Sequence, residues 1–360
     1  MVLGRERKFF AGGMTPKGFV NFFEDIIGEE ERERYILKGG PGTGKSRMMK
    51  KVANAAMQEG YDVELICCSA DPDSLDGVRI PELGKTILDG TAPHVVEMNL
   101  PGVRDSIINL GVFWDETALK RHKKAISALL EEKALCYGLA EQCFKAAGEI
   151  QQNIDFLANH ALSHGKLQQW MEQLCQQFFK DIDISYRVGS MRKMFGTAMT
   201  AKGHMNTLPS LFRGVKVYAL RCRWGRGACS VLERLQEEAL RRGFFVESCR
   251  CPMAPERTEH FVIPKLALAF TTYNGYHQVM VCEVFGEYSM DVYYNDCVLE
   301  PYEKELEYDC FRMQELLEKG QRNLTKAQKI HSAIESYYTA TMDFDAMNQC
   351  TEHIIEKLLP

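Results

Sequence analysis

The sequence predicts an α/β protein built twice over. Two tandem copies of one domain each carry a mostly parallel sheet flanked by helices, and each carries a long helical extension. Three observations lead there. Residues Gly39 to Ser46 read G-G-P-G-T-G-K-S, between an apolar strand-like run, Tyr35-Ile36-Leu37, and a helical stretch from Arg47 to Glu59. Adding 183 to each residue number lays the second half over the first without a gap for about fifty residues. From about Glu116 to Lys180, and again from about Tyr302 to Leu359, the composition turns to Leu, Ala, Glu, Gln and Lys with apolar residues at three and four spacings.

The glycine-rich run has the full pattern G-x-x-x-x-G-K-[ST] in strand–loop–helix context. Glycines let a loop turn its N–H groups inward around an anion, and the following helix adds its positive end. Gly39, Gly40, Pro41, Gly42, Thr43, Gly44, Lys45, Ser46 and Arg47 are therefore the expected polyphosphate cradle for ATP. In such a loop the lysine reaches the β- and γ-phosphates and the hydroxyl holds Mg²⁺, here Lys45 and Ser46.

The repeat shows in matched glycines, prolines and apolar positions. Tyr35 falls on Tyr218, Leu37 on Leu220, Gly44 on Gly227, Gly60 on Gly243, Glu64 on Glu247 and Ile80-Pro81 on Ile263-Pro264. Upstream the offset is 185, and R-K-F-F-A-G-G-M-T-P-K-G from Arg7 lies over R-K-M-F-G-T-A-M-T-A-K-G from Arg192. The division expected is 1–185, with a helical extension at about 116–180, and 186–360, with one at about 302–359. The second copy has lost the cradle's chemistry. Lys45 maps to Ala228, Ser46 to Cys229, Gly39 to Cys222, Pro41 to Trp224 and Thr43 to Arg226. A thiol is a poor ligand for Mg²⁺, which wants hard oxygens. Only the first copy is expected to bind nucleotide.

Along the chain, Phe9-Phe10 reads as a strand and Gly12-Gly13 as a turn. Thr15-Pro16 reads as a helix start, followed by Phe19, Phe22, Phe23, Ile26 and Ile27 at helical spacing for the core. The charged run Glu29 to Arg34 reads as a solvated loop. After Gly60, Tyr61 to Cys68 reads as a strand and Ser69 to Gly77 as a loop at its C-terminal end, where ligands sit in open α/β sheets. Ile80 to Gly84 is a short helical piece. Lys85 to Asp89 is an apolar strand ending in a carboxylate, which places Asp89 in the Mg²⁺ shell. Asp89 maps to Thr272, so the second copy lacks all three members of the set. His94 maps to His277, and a residue kept in the broken copy reads as structural. Ser163-His164-Gly165 breaks the first helical region into a hairpin or bundle. Its apolar face (Trp170, Met171, Leu174, Phe178, Phe179) fits either plain packing or a surface for a partner or a homo-oligomer.

Of 360 residues, 45% are hydrophobic and 26% charged, as in soluble globular proteins, and a net charge of −5 gives no footprint for nucleic acid. No apolar stretch reaches the length of a membrane span, and the charged N-terminus is not a signal peptide, so a cytoplasmic protein is expected. The thirteen cysteines are then expected to be thiols. Cys222, Cys229, Cys249 and Cys251 sketch a metal cluster, but C-x-C is not the usual zinc spacing and buried thiols are preferred.

The strings R-K-F-F-A-G-G-M-T-P-K-G, K-G-G-P-G-T-G-K-S, C-S-A-D-P-D-S-L-D-G-V-R-I-P-E-L-G and L-D-G-T-A-P-H resemble a family of bacterial duplicated P-loop ATP-binding proteins, described as ATPases or nucleotide kinases. The resemblance spans nearly the whole chain. It implies a P-loop NTPase fold and ATP binding, carries Lys45, Ser46 and Asp89 into their usual roles, and gives no substrate or partner. Three readings stay open. The first is an ATPase whose water is oriented by Asp71, Asp73, Asp76 or His94; Arg221, Arg223 and Arg226 could supply an arginine finger in cis, although a surface cluster is the preferred reading. The second is a nucleotide or nucleoside kinase, with Asp71 and Asp73 holding and deprotonating the acceptor hydroxyl. The third is an ATP-bound scaffold acting through its helical arms.

Overall fold

The computed structural model describes residues 3–28, 31–92, 96–223, 226–273 and 284–360. The first half contains β1 (Glu6–Phe10), β2 (Gly12–Thr15), β3 (Gly18–Asn21), α1 (Phe23–Ile26), β4 (Glu33–Lys38), α2 (Lys45–Gln58), β5 (Val63–Cys67), β6 (Leu75–Ile80), β7 (Lys85–Asp89), β8 (Asp105–Asn109), α3 (Glu116–Arg121), α4 (Lys123–Ala161) and α5 (His164–Phe179). The second contains β9 (Met191–Met194), β10 (Thr197–Thr200), β11 (Gly203–Asn206), α6 (Leu208–Leu211), β12 (Lys216–Arg221), α7 (Arg226–Arg241), β13 (Val246–Cys251), β14 (Ala254–Ile263), β15 (Leu268–Tyr273), β16 (Gly286–Ser289), α8 (Asp296–Leu299), α9 (Glu303–Thr339) and α10 (Phe344–Leu358).

The duplication is literal. One sheet runs β1-β5-β6-β7-β4-β8 and the other β9-β13-β14-β15-β12-β16, strand for strand the same order. Both sheets are mixed rather than mostly parallel, because β6 and β14 run antiparallel to both neighbours. The expected loop from Ser69 to Gly77 is shorter for this reason: pairing with β5 and β7 takes over at Leu75. Gly77 lies inside β6, where a Cβ would stand 2.6 Å from Leu88, so glycine there permits close strand packing rather than a turn.

Two other local expectations fail. Thr15-Pro16 opens no helix. Thr15 Oγ1 accepts the Lys17 N–H at 3.0 Å and donates to the Gly18 carbonyl at 2.8 Å, closing a hairpin of β2 and β3 with Gly18 at φ +86°. Gly12-Gly13 belongs to β2, and the helix shrinks to Phe23–Ile26. Phe23, Ile26 and Ile27 are buried, as core placement required. Nor is the run to Arg34 a solvated loop. Arg34 pairs with Asp105 at 2.7 Å and Glu31 with Arg79 at 3.0 Å, all buried or nearly so; Glu29 and Glu30 lie outside the described residues.

The two sheets face each other across a shared core that includes Phe9, Ile66 and Leu88 from one half and Met194, Val262 and Ala269 from the other. At its edge Phe10 and Phe195, equivalent residues, exchange backbone hydrogen bonds of 2.9 Å in both directions. That reciprocity marks a pseudo-twofold axis. Beside it, Arg7 and Arg192 interleave with Glu64 and Glu247, again two equivalent pairs, at 2.5–3.4 Å. Burial disfavours the Glu64 carboxylate, but Arg192, Arg79 and Arg7 outweigh it and hold the group down at about 2.

The helical arms join the halves a second time. α4 and α9 lie antiparallel, with contacts Lys133–His331, Phe144–Gly320 and Asn153–Asp309 advancing along one as they retreat along the other. Each arm ends on the opposite half. Ser163 N–H donates to the Tyr293 carbonyl at 2.8 Å, and Asp343 N–H to that of Phe113 at 2.8 Å. α5 then packs on α7, and α10 on α2. The break at Ser163-His164-Gly165 falls between α4 and α5 as expected. The face of Met171, Leu174 and Phe179 is buried in the core of the second half, with Trp170 stacked 5.1 Å from Tyr293, so it serves intramolecular packing. Among the described residues no helix is long and apolar enough to cross a membrane.

Candidate functional site

The glycine-rich loop joins β4 to α2. Gly42 and Gly44 sit at φ +70° and +87°, the region glycine adopts without strain, and Gly44 caps α2. Thr43 is buried and its hydroxyl donates to the Gly40 carbonyl at 2.9 Å, bracing the loop from inside. Met48 and Met49, on the inner face of α2, anchor the helix to the sheet.

The first residues of α2 carry the expected side chains. Lys45 Nζ donates to the Gly39 carbonyl at 3.1 Å and the Gly40 carbonyl at 2.9 Å, and stands 3.7 Å from Asp89 Oδ2. Strand pairing explains the meeting: β4 lies beside β7 in parallel, with Leu37 opposite Asp89, so the loop and the carboxylate emerge at one sheet edge. The other oxygen of Asp89 accepts from Thr91 N (2.9 Å) and Oγ1 (2.6 Å), which fixes its orientation. Ser46 Oγ accepts the Leu75 N–H at 3.1 Å. Arg47 is exposed.

The remaining candidates separate. Asp71 accepts from Ser74 Oγ at 2.5 Å and from Gln328 Nε2 at 3.0 Å, which brings it to α9. Asp73 is exposed and pairs with Lys202 at 2.5 Å, while its equivalent Glu256 pairs with Lys17 at 2.7 Å. Each hairpin thus tethers the other half, and Asp73 has the place of a tether. Asp76 is buried on β6. His94, His277 and the side chain of Arg226 lie outside the described residues. Arg221 pairs with Glu287 at 3.4 Å and Arg223 with Glu303 at 3.2 Å, both on the second half's own elements.

Sequence reading missed what the second half brings to this loop. The end of α9 lies on it: a Cβ on Gly40 would meet Tyr338 at 2.7 Å, and one on Gly42 would meet Thr339 at 2.7 Å and the Glu335 carbonyl at 2.8 Å. Met347 of α10 stands where a side chain at residue 44 would go. His331 Nε2 is 3.6 Å from Glu335, and Lys133 Nζ is 3.3 Å from His331 Nδ1. Burial, then the nearby Asp71 charge, raises Glu335; burial and Lys133 push His331 down to about 4, so it is neutral at pH 7. One signal was available. With the arms aligned on their caps, Asp115 with Asn295 and Leu162 with Met342, Glu335 falls on Asp155, an acidic residue at the same place in both arms.

In the second copy this corner is filled. Ala228 and Thr272 are buried, Cys222 is buried 3.4 Å from the Tyr294 hydroxyl, and Asp155 is locked to Arg257 at 2.5 Å. Burial pushes the Cys229 thiol up to about 12. Among the described residues no group of three or more His, Cys, Asp or Glu side chains is placed to hold a metal ion, the four sketched cysteines included.

Compared with known proteins, the chain matches no family model, and no curated protein or solved structure matches it.

Proposed function

We propose that the chain is a P-loop ATPase with one Mg²⁺-dependent site in its first half and a second copy that keeps the fold without the chemistry. One observation carries this: Lys45 stands between the loop carbonyls and Asp89 at the head of a helix, and the residues of that group are the ones replaced in the other copy. The loop amides and Lys45 bind the β- and γ-phosphates and stabilise charge as the terminal phosphoryl group transfers to water. Ser46 and Asp89 offer the hard oxygen ligands that suit Mg²⁺, which when bound neutralises phosphate charge. Asp71 is the favoured residue for orienting the water, since Gln328 of α9, the helix whose end lies on the loop, holds its carboxylate at 3.0 Å.

A second reading, a nucleotide or nucleoside kinase using the same site, is favoured by one feature. A cleft of about 510 Å³ lies between the halves beside Leu75, whose N–H holds Ser46, and it is lined by Lys50, Asn54 and Asn206. Incubation with labelled ATP, Mg²⁺ and a panel of nucleosides and nucleotides decides between them. Phosphate release alone supports the ATPase, label on an acceptor supports the kinase, and binding without turnover leaves a scaffold. Lys45→Ala is expected to abolish either turnover. Unchanged turnover in that variant refutes the site.

A further inference from the structure

The residues that line the cleft between the halves have counterparts in the second copy, and there an arginine spans them. The Arg250 guanidinium, on β13, donates to the Pro255 carbonyl at 3.1 Å, to the Glu256 carbonyl, to Thr258 Oγ1 at 2.7 Å and to Ser248 Oγ at 3.3 Å. Gln236 of α7 accepts from both of those hydroxyls at 3.1 Å. The side chain is thus a plug, held by a connected polar network on β13, β14 and α7.

The first copy keeps the backbone and replaces the side chains of that network together. Cys67 pairs with Leu75 across β5 and β6 as Arg250 pairs with Thr258 across β13 and β14. At the offset of 183, Arg250 falls on Cys67, Ser248 on Leu65, Thr258 on Leu75 and Gln236 on Ala53. All four line the open cleft, giving an apolar floor where the other copy has a polar plug. The Asp73 carbonyl, equivalent to that of Glu256, accepts from the Lys50 ammonium, and Lys50 stands where the second copy has Glu233. Beside it Asn54 stands where the second copy has Glu237. The two carboxylates of the cleft are paired, Glu6 with Lys8 at 2.7 Å and Asp73 with Lys202 at 2.5 Å, so Lys50 sets the charge of the α2 rim.

We propose that this cleft binds a small organic anion, with a ring-sized apolar body on the floor of Ala53, Leu65, Cys67 and Leu75 and its anionic head at Lys50 and Asn54. A volume of about 510 Å³, largely apolar walls and a few polar groups at the rim are the attributes of a small-molecule site. The cation at the rim selects the sign of the head. Met205 and Pro209 bring the second half to the same ligand. The proposal stands apart from the reading of Gly39–Ser46 as a phosphate cradle, although Leu75 touches both places: it lines the floor, and its N–H donates to Ser46 Oγ.

The test is calorimetric titration of the full chain, without ATP or Mg²⁺, as wild type, Lys50→Glu, Asn54→Glu and Lys145→Glu. The probes are naphthoate, naphthyl phosphate, the neutral naphthamide and inorganic phosphate. Lys50 and Asn54 are exposed on α2, and glutamate is what the second copy carries at both places, so the variants keep the fold. Lys145, exposed on α4, controls for a general change of charge. Wild type and Lys145→Glu are expected to bind at least one naphthyl anion with one-to-one stoichiometry, and naphthamide and inorganic phosphate at least tenfold more weakly. Lys50→Glu is expected to weaken the naphthyl anion at least tenfold, and Asn54→Glu by less. Absence of saturable binding for both naphthyl anions overturns the proposal. So does naphthamide or inorganic phosphate binding as tightly as the naphthyl anion, or wild-type affinity for that anion in Lys50→Glu. Because no nucleotide is present, failure of the ATPase reading leaves each of these outcomes unchanged.

Discussion

Gly42 shows how much one residue can be asked to satisfy. It turns the chain at φ +70° and lets the α9 backbone pass where a Cβ would lie 2.8 Å from the Glu335 carbonyl. Gly42→Ala is expected to cost about 1–3 kcal/mol and to lift the end of α9 from the loop. A lower Tm together with faster amide exchange over residues 331–339 checks this; faster exchange elsewhere alone contradicts it. At this scale the sequence was informative where the signal is local. Lys45, Ser46 and Asp89 lie in short patterns whose spacing matters, and self-comparison with Ala228, Cys229 and Thr272 marked them as a set. Asp73 marks the limit of that signal, because an aspartate in a turn looks the same whether it meets a substrate or Lys202, 129 residues away. Glu335 was missed because its meeting with Gly42 spans nearly the whole chain.

Elements were legible when periodicity and end signals agreed. Strand β4, helix α2, strand β7 and the two arms follow from apolar pattern, glycine punctuation and composition. The segment after Thr15 went wrong because Thr-Pro opens turns as readily as helices, and a few aromatics at mixed spacing fit a hairpin followed by one helical turn. Strand β6 was hidden by Asp76 and Gly77, which suit a loop by composition yet lie buried in the sheet. The charge cluster across β1, β5, β9 and β13 carries a prediction of its own. Arg192→Met leaves Glu64 and Glu247 buried without their main partner and is expected to destabilise the protein by about 3–5 kcal/mol in denaturant unfolding. The wild-type contribution also depends on pH. Glu64 titrates lower when folded than its ordinary 4.5, so its stabilisation is complete above that value and is lost as pH falls toward 2. Acid titration of wild type should show that loss, and Arg192→Met should show less of it.

At the scale of the whole molecule, the repeat in sequence and the packing in space divide the chain differently. Residues of α10 complete the core beneath α2, and residues of α5 complete the core beneath α7. Chains 1–185 and 186–360 made separately are therefore each expected to lack a helix their sheet needs, and to misfold or aggregate. Made together, they should form a one-to-one complex through the α4–α9 pair, the Phe10–Phe195 bridge and the shared core. Size-exclusion chromatography with light scattering reads the outcome, and a monomeric, folded 1–185 fragment rules the interdependence out. This exchange was beyond the reach of the sequence: periodicity says that a helix has an apolar face, not which sheet covers it.

α9 is 37 residues long, on the order of 55 Å, with Leu306 rooted in one core and Thr339 resting on the other half's loop. A copy that lacks the counterparts of Lys45, Ser46 and Asp89 is not, on this architecture, surplus. It is the pier from which a beam reaches its sibling's glycine-rich loop, and erosion of its foundations would be felt at a distance, on a loop that α9 and α10 cover.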